Sequence, residues 1–450
     1  MRLSVRSVLC AAALLAPTVF AGHGVNTLVV VGDSLSAGYQ NNQLIDCFKP
    51  SDLGSPYCFS KPNGQRFGYA NVIARQAGVD LKLPLIPPPG FPQIVNTGGF
   101  DVANTFNFVP REDGGLTQTL DLSVPGYTVA GLFYPVACPP SPNPMAPPLP
   151  IQIMAAEILS PQNCNSGITE IGEAAALTQA IHNDTTIFWI GSNDALFPLL
   201  FAGQNPTPEA AFETAYDPAV ATLAQTSKRL VLANIPDVTL LPYLTPEPVF
   251  AAYVASLNLP DPLTATVLTG LMPGDMVTPY AFAVVSLMKA NTIPFAPVSM
   301  VPPAAVNGAA IVIPASEVAS IQSAIAGYNN HIAKMAAKYH AALVDIHGVV
   351  NNIAANGITI NGKTLTTAFM GGLFSLDGVH PSNTGYAIIA NEFIRAMRDQ
   401  IHTSIPPADL DDVAANDPMV FVPIPDKEKH EEHVTPGMAD GLRQLMKPQH

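Results

Sequence analysis

The sequence predicts a fold of the α/β class, with a mostly parallel sheet between two layers of helices. Short apolar runs with the length of buried strands alternate along the chain with longer segments whose apolar residues recur every three or four positions. Such an alternation is typical of a sheet wrapped by helices. We therefore expect a flavodoxin-like three-layer α/β/α sandwich that carries long insertions.

The elements of this core follow in order along the chain. The predicted strands are the apolar runs 27–31, 186–190, 229–233 and 342–346. The predicted helices are 67–77, 168–181, 211–226, 316–339 and 383–401. Helix 316–339 has the clearest pattern, because Ile321, Ile325 and Tyr328 begin a series of apolar residues at intervals of three and four that marks one buried face.

Two long segments interrupt this alternation, at about 84–150 and 246–314, and both are rich in proline and poor in regular periodicity. We interpret them as insertions into one domain that spans 22–402. The remaining segment, 403–450, is rich in polar and charged residues and is predicted to be a tail that can be disordered.

The first 21 residues have the pattern of a secretory signal peptide. Arg2 and Arg6 precede the apolar run 8–16, and a small residue, Ala21, follows at a position suited to cleavage. A membrane anchor is the alternative, but the apolar run is shorter than the about 20 residues that span a bilayer. We expect a mature protein that begins near Gly22, has no transmembrane anchor, and is secreted or periplasmic.

Four cysteines follow the signal segment, and an even number suits an oxidising compartment. Of the three possible connectivities we favour Cys47 with Cys58 and Cys138 with Cys164, because each pair closes a short loop that contains proline. A metal site built from these thiolates would typically use C-x-x-C spacing, which the chain lacks. No metal is therefore expected.

The charge balance of the chain and the spacing of its glycines also argue against nucleic acids and nucleotides as ligands. The chain has 20 basic and 34 acidic side chains, and this negative balance repels phosphate backbones. Segment 357–364 matches the letters of a phosphate-binding loop, GITINGKT, but it alternates around Asn361 and Gly362 like a β-hairpin. We predict a hairpin there and no nucleotide cofactor.

Two separate segments carry the residue types of nucleophilic catalysis. The first predicted strand runs into the letters GDSL at 32–35, which places Ser34 at the carboxyl edge of the sheet, where open α/β sheets have their active sites. Much later, Asp377 and His380 lie three residues apart just before the last predicted helix. A serine hydroxyl needs a base, and a histidine base needs an acceptor on its second nitrogen.

Acyl transfer also requires hydrogen-bond donors for the negatively charged oxygen of its intermediate. Three candidates are the backbone N–H of Ser34, the backbone N–H of Gly126 in a Pro-Gly turn, and the side-chain amide of Asn193 after the second predicted strand. Each has a structural alternative, because Pro-Gly also suits a type II turn and asparagine also suits a helix cap.

Together these segments resemble the GDSL, or SGNH, hydrolase family, whose emblem residues are Ser, Gly, Asn and His. The resemblance rests on the letters GDSL at 32–35, GSND at 191–194 and DGVHP at 377–381, in that order. It implies that Ser34, Gly126, Asn193 and His380 have the roles of the four residues that give the family its name, with Asp377 as the aspartate partner of the histidine. The sequence lacks the G-x-S-x-G elbow of α/β hydrolases.

The resemblance implies a serine hydrolase that cleaves a small-molecule ester or lipid without a cofactor. An acyltransferase that uses the same acyl-enzyme, a carbohydrate acetylesterase and a non-catalytic surface-binding protein are the alternatives. For the substrate, the sequence suggests an acyl groove in the charge-poor insertion 246–314, lined by Phe250 and Phe282. The alternative is that these two rings pack in the core.

Overall fold

The computed structural model describes residues 24–55, 57–91, 93–96, 102–105, 109–136, 150–159, 167–260 and 262–420. The signal segment, Cys138, Cys164 and the end of the tail lie outside these ranges.

The helices of the described residues are α1 Tyr69–Ala77, α2 Pro150–Leu159, α3 Glu170–Ala180, α4 Ser192–Leu200, α5 Glu209–Thr226, α6 Glu247–Ser256, α7 Leu263–Leu268, α8 Pro279–Lys289, α9 Ala315–Tyr339, α10 Ile346–Asn356, α11 Asn383–Ile401 and α12 Leu410–Asn416. The strands are β1 Leu28–Gly32, β2 Asp46–Cys47, β3 Asn63–Gly64, β4 Gln93–Asn96, β5 Val102–Thr105, β6 Thr185–Trp189, β7 Arg229–Ala233, β8 Thr245–Pro246, β9 Met276–Val277, β10 Val312–Ile313, β11 Ala342–Val344, β12 Ile358–Ile360 and β13 Lys363–Leu365.

The central sheet has the order β1-β6-β7-β11, and all of its pairs are parallel. An edge segment, 120–124, continues the sheet beyond β1: the Val30 N–H donates to the Leu120 carbonyl, and the Leu122 N–H donates to the Val30 carbonyl. Numbered along the chain, these five segments lie in the order 2-1-3-4-5, as in flavodoxin-like folds. The predicted fold class is confirmed.

The alternation of side chains along each strand divides the core into two layers. Val29 and Val31 belong to the apolar cluster that contains residues of α3, α5 and α9, whereas Leu28 and Val30 belong to the cluster with residues of α1 and α11. Helices therefore cover both faces of the sheet. All five predicted helices and all four predicted strands are present, with ends that differ by a few residues.

The insertion 246–314 forms a small substructure of its own, with an antiparallel sheet of order β10-β9-β8 and the helices α6, α7 and α8. The hairpin predicted at 357–364 is also present, as β12 and β13 joined through Asn361 and Gly362. Both of these turn residues have positive φ, which suits a two-residue hairpin turn and excludes the phosphate loop.

The described part of the predicted tail, 403–420, contains helix α12. Helix α12 packs against α11, and the carboxylate of Asp417, which has no exposed surface, accepts hydrogen bonds from the N–H and hydroxyl groups of Thr384. Polar composition suggested disorder because sequence alone does not show that these polar groups find partners. The division of the chain into domain, insertions and tail otherwise stays a prediction.

Cys47 and Cys58 form the predicted disulfide, with their Cα atoms 5.6 Å apart. The pair Cys138 and Cys164 cannot be compared, since both residues lie outside the described ranges. No helix among the described residues is long and apolar enough to cross a membrane.

Candidate active site

Ser34 lies directly after β1, at the carboxyl edge of the sheet. Strand β1 is the point where the strand order reverses direction, and open α/β sheets bind their ligands at this position. Gly32, the last residue of β1, lets the backbone lie close to β6 because it has no side chain: a Cβ atom at this residue would lie 2.4 Å from the Trp189 carbonyl oxygen. The Ser34 side chain is almost buried, with 6% of its surface exposed.

The structure brings Asp377 and His380 to Ser34. His380 Nε2 lies 2.8 Å from Ser34 Oγ, and His380 Nδ1 lies 2.8 Å from Asp377 Oδ2. Because a carboxylate can only accept, Nδ1 carries the proton and Nε2 is left to accept the hydrogen of the Ser34 hydroxyl. The arrangement can therefore take a proton from Ser34 when its oxygen attacks an electrophile.

Asp377 is held as a carboxylate by the hydrogen bonds around it. Its Oδ1 atom accepts the N–H groups of Val379 and His380, both at 2.9 Å, and its Oδ2 atom accepts the Asn42 N–H at 2.9 Å. Burial alone would raise the pKa of Asp377, but the neighbouring His380 and these backbone N–H groups outweigh burial, and the pKa lies below its ordinary value. The ring of Tyr39 packs on His380, with 4.6 Å between the ring centroids.

On the other side of Ser34 lies Asn193, in the first turn of α4. Its side-chain amide donates to the Tyr127 carbonyl at 2.8 Å, which leaves its second amide hydrogen for another acceptor. Gly126 precedes Tyr127 and has a φ of 86°, a left-handed conformation that glycine adopts without strain. Within the described part of the chain, the backbone N–H groups of Ser34 and Gly126 have no hydrogen-bond acceptor.

Asp194, the residue after Asn193, connects α4 by a hydrogen bond to the loop that follows Gly126. Its Oδ2 atom accepts the Val129 N–H at 2.9 Å. Burial raises the pKa of Asp194 to about 6, against the lowering effect of this hydrogen bond. Asn193 and Asp194 therefore hold two points of the same loop, Tyr127 and Val129, in place beside Ser34.

An apolar cavity of about 60 Å³ opens between Ser34, Asn193 and His380. Its other lining residues are apolar except Ser192, and they come from β6, α4, α10, α11 and the loops at the carboxyl edge of the sheet; examples are Leu196, Val238, Leu241, Ile346 and Val350. The cavity is suited to an apolar group whose polar end lies at Ser34.

Phe250 and Phe282 do not reach this cavity, and the prediction that they line an open groove is wrong. Their rings pack edge to face with 5.1 Å between centroids, and they are 0% and 4% exposed. Both rings lie inside the substructure of the second insertion. The spacing that suggested a groove is the spacing of a core face, and sequence alone does not tell which partner covers such a face.

Three buried carboxyl groups near the end of β1 were not identified from the sequence as parts of the site. They belong to Asp33, Asp121 and Glu170, each at most 1% exposed. Burial raises the pKa of Asp33 and of Asp121 to about 7. Asp33 belongs to the GDSL segment, but no local pattern marks Asp121 or Glu170, and the three groups meet only because β1, the edge segment and α3 pack together. Among the described residues, no group of three or more His, Cys, Asp or Glu residues is placed to hold a metal ion.

Comparison with known proteins agrees with this geometry. The model of the family described as GDSL-like Lipase/Acylhydrolase matches residues 28–393, most of the chain. Comparison with curated proteins yields no match.

Two solved structures align with most of the chain at low identity. An alpha/beta hydrolase enzyme from the metagenome of Lake Arreo, Spain, covers 83% of this chain and 97% of its own, with 13% identity and a TM-score of 0.34. An acetylxylan esterase from Geobacillus stearothermophilus covers 83% of this chain and 96% of its own, with 12% identity and a TM-score of 0.34. Similarity at this level carries no information about the substrate.

Proposed function

The chain belongs to the GDSL-like lipase/acylhydrolase family and is a carboxylic ester hydrolase, and we propose that it works through an acyl-enzyme on Ser34. The observation that carries this proposal is the pair of 2.8 Å contacts from His380 to Ser34 and to Asp377. A serine, a histidine and a buried carboxylate in this order form a proton relay for nucleophilic attack.

In the first half of the reaction, Ser34 Oγ attacks the ester carbonyl carbon while His380 Nε2 takes the hydroxyl proton. Asp377 stays ionised and stabilises the imidazolium that forms. When the intermediate collapses, the bond to the alcohol oxygen breaks and His380 gives its proton to that oxygen. Ser34 then carries the acyl group as an ester.

In the second half, water replaces the alcohol. His380 takes a proton from the water, whose oxygen attacks the acyl carbon, and the proton then returns to Ser34 Oγ as the acid leaves. The oxyanion of both intermediates would be held by the N–H groups of Ser34 and Gly126 and by the free amide hydrogen of Asn193. The absence of competing acceptors for the two N–H groups among the described residues supports this role.

We further propose that the apolar cavity receives a short acyl chain. An apolar cavity of about 150 Å³ is large enough for benzene, which has six carbons. On that scale, the cavity of about 60 Å³ accommodates roughly two or three carbons. Because the Phe250 and Phe282 rings are buried in the second insertion, we expect short esters, and not long lipids, to be the substrates.

The chain-length test uses p-nitrophenyl esters from acetyl to palmitoyl. We expect kcat/KM to be highest between acetyl and butyryl and to fall for octanoyl and longer chains. Val350→Ala, which enlarges the cavity from α10, should move the optimum to longer chains. Val249 lies on the exposed surface of α6, and the control Val249→Ala should leave the dependence of kcat/KM on chain length unchanged. An optimum at palmitoyl would contradict the assignment of the cavity.

The catalytic test replaces Ser34 by alanine. We expect Ser34→Ala to abolish hydrolysis of p-nitrophenyl acetate and labelling by a fluorophosphonate probe, with little change in thermal midpoint. Ser36→Ala is the matched control, because the Ser36 hydroxyl pairs with Tyr69 at 2.8 Å and not with His380. Hydrolysis at the wild-type rate by pure Ser34→Ala would refute the proposed nucleophile.

An acyltransferase would use the same acyl-enzyme and differ only in its acceptor. Product analysis with an added alcohol separates the two reactions, because a hydrolase forms mainly free acid and a transferase forms mainly the new ester.

We also propose export through the N-terminal signal, which the Cys47–Cys58 disulfide supports. Amino-terminal sequencing of the mature protein should then begin near Gly22, and a mature chain that retains Met1 would contradict export.

A further inference from the structure

A buried carboxyl group lies between β1 and the edge segment 120–124, in a place where a sheet ordinarily has only backbone. It belongs to Glu170, the first residue of α3, which has no exposed surface. The backbone ladder between the two segments includes the bonds of Val30 to Leu120 and Leu122. At the next position, the Gly32 N–H donates to Glu170 Oε1 at 2.7 Å.

This position connects the two parts of the proposed site. Gly32 precedes Ser34 by two residues, and its carbonyl accepts the Val124 N–H at 3.0 Å. Val124 in turn precedes Gly126 by two residues, and its N–H also lies close enough to Glu170 to lower the pKa of that carboxyl. Glu170 therefore contacts the backbone directly before the proposed nucleophile and directly before a proposed oxyanion donor.

The surroundings of Glu170 favour its neutral form. Burial raises the pKa of Glu170 well above its ordinary value, and the charges of Asp33 and Asp121 raise it further, against the lowering effect of the Gly32 N–H. Within the described residues, Glu170 Oε2 and Asp33 Oδ2 are buried without a hydrogen-bond partner. Tyr127 is the third titratable group whose charge state is coupled to Glu170.

We propose that Glu170 is a positioning residue that holds the end of β1 against the edge segment and so sets the distance from Ser34 Oγ to the Gly126 N–H. The carboxyl acts in its protonated form, with Oε1 as the acceptor for Gly32. This inference rests on the proposed function, because the distance matters only if both residues act on the same carbonyl group.

The test compares three variants by kcat, KM and thermal midpoint with p-nitrophenyl acetate. Glu170→Ala should lower kcat about 100-fold with a much smaller change in KM, because a displacement of about 1 Å between reacting groups can cost this much. Glu170→Gln keeps the acceptor for Gly32 and the neutral charge and should retain kcat within about threefold. Glu173→Ala, in the same helical turn but only partly buried, is the matched control and should resemble the wild type.

The pH profile provides a second readout that loss of packing alone would not change. In the wild type, kcat should fall at alkaline pH as Glu170 ionises beside Asp33 and Asp121, and in Glu170→Gln this fall should be absent or displaced. If Glu170→Ala does not fold, this comparison decides. Wild-type kcat in folded Glu170→Ala, a loss in Glu170→Gln equal to that in Glu170→Ala, or an unchanged alkaline limb in Glu170→Gln would each overturn the inference. Activity in Ser34→Ala, measured in parallel, would instead refute the proposed function.

Discussion

Asp377→Asn replaces one oxygen of the Asp377 carboxylate by an NH2 group. In the wild type, the two carboxylate oxygens together accept hydrogen bonds from four hydrogens. One oxygen accepts the N–H groups of Val379 and His380, and the other accepts the Asn42 N–H and the Nδ1–H of His380. In either orientation, the new NH2 group would face two donors. The orientation that keeps the bonds to Val379 and to the His380 backbone turns the NH2 group toward Nδ1.

That orientation forces the imidazole into the other tautomer. Nδ1 would then accept the amide hydrogen, and the proton would lie on Nε2, which faces Ser34 at 2.8 Å and could no longer act as a base. The corresponding change in a serine protease triad lowers kcat by about 10⁴-fold, which equals about 5 kcal/mol of transition-state stabilisation. We expect a loss of the same order here at pH 7.

The assay measures kcat and KM with p-nitrophenyl acetate, together with the thermal midpoint. Asp275→Asn is the matched control: it is also a buried carboxylate that accepts two backbone N–H groups, from Met272 and Ala315, both at 2.9 Å, but it lies in the second insertion. If folded Asp377→Asn retained kcat within tenfold of the wild type, Asp377 would be a structural residue and the proposed relay would be refuted.

Three further predictions concern the oxyanion donors, the disulfide and the buried acids. Asn193→Ala should lower kcat about 100- to 1000-fold with a small change in KM, since the oxyanion exists only in the intermediate and transition state; a change confined to KM would assign Asn193 to substrate binding. Reduction of Cys47–Cys58 should lower the free energy of unfolding by up to about 3 kcal/mol and so lower the thermal midpoint. Free thiols at both positions in peptide maps of the unreduced protein would contradict the pairing. Because burial raises the pKa of Asp121 to about 7 in the folded protein from an ordinary 3.8, its protonated form favours folding, and stability is lost as the pH rises from about 4 to 7. Urea unfolding of Asp121→Asn at pH 5 and pH 8 should show a smaller loss than the wild type, by at most roughly 3 kcal/mol, because only the interval from pH 5 to the folded-state pKa is covered. Equal losses in both proteins would contradict the raised pKa.

The residues of the proposed relay could be predicted because their signals are local in sequence. A strand that ends in Gly32 puts Ser34 at the sheet edge, and Asp377 reaches His380 across only three residues, so their backbone already brings the two side chains together. Asn193 follows a second parallel strand, whose carboxyl end meets that of the first at the same edge. The predicted fold class and the order of these segments along the chain were enough to expect the groups at one edge of the sheet.

Other parts of the site depend on which surfaces meet, and periodicity does not carry that information. The apolar spacing around Phe250 and Phe282 left two interpretations open, a groove for an acyl chain and a buried core face, and the structure shows the two rings packed against each other and buried. Glu170 lies 138 residues from the Gly32 N–H that it accepts, and nothing in its own segment marks it.

The sequence by itself therefore determined the fold class, the order of the core elements, the disulfide Cys47–Cys58 and the candidate nucleophile with its base. Only the tertiary structure decided the position of the apolar cavity, the packing of helix α12 beyond residue 402, and the carboxyl groups behind Ser34. The physical reason is that a repeating pattern of apolar residues shows that a face is buried, whereas the partner of that face, and the charge state of a buried acid, depend on groups that folding brings together from distant parts of the chain.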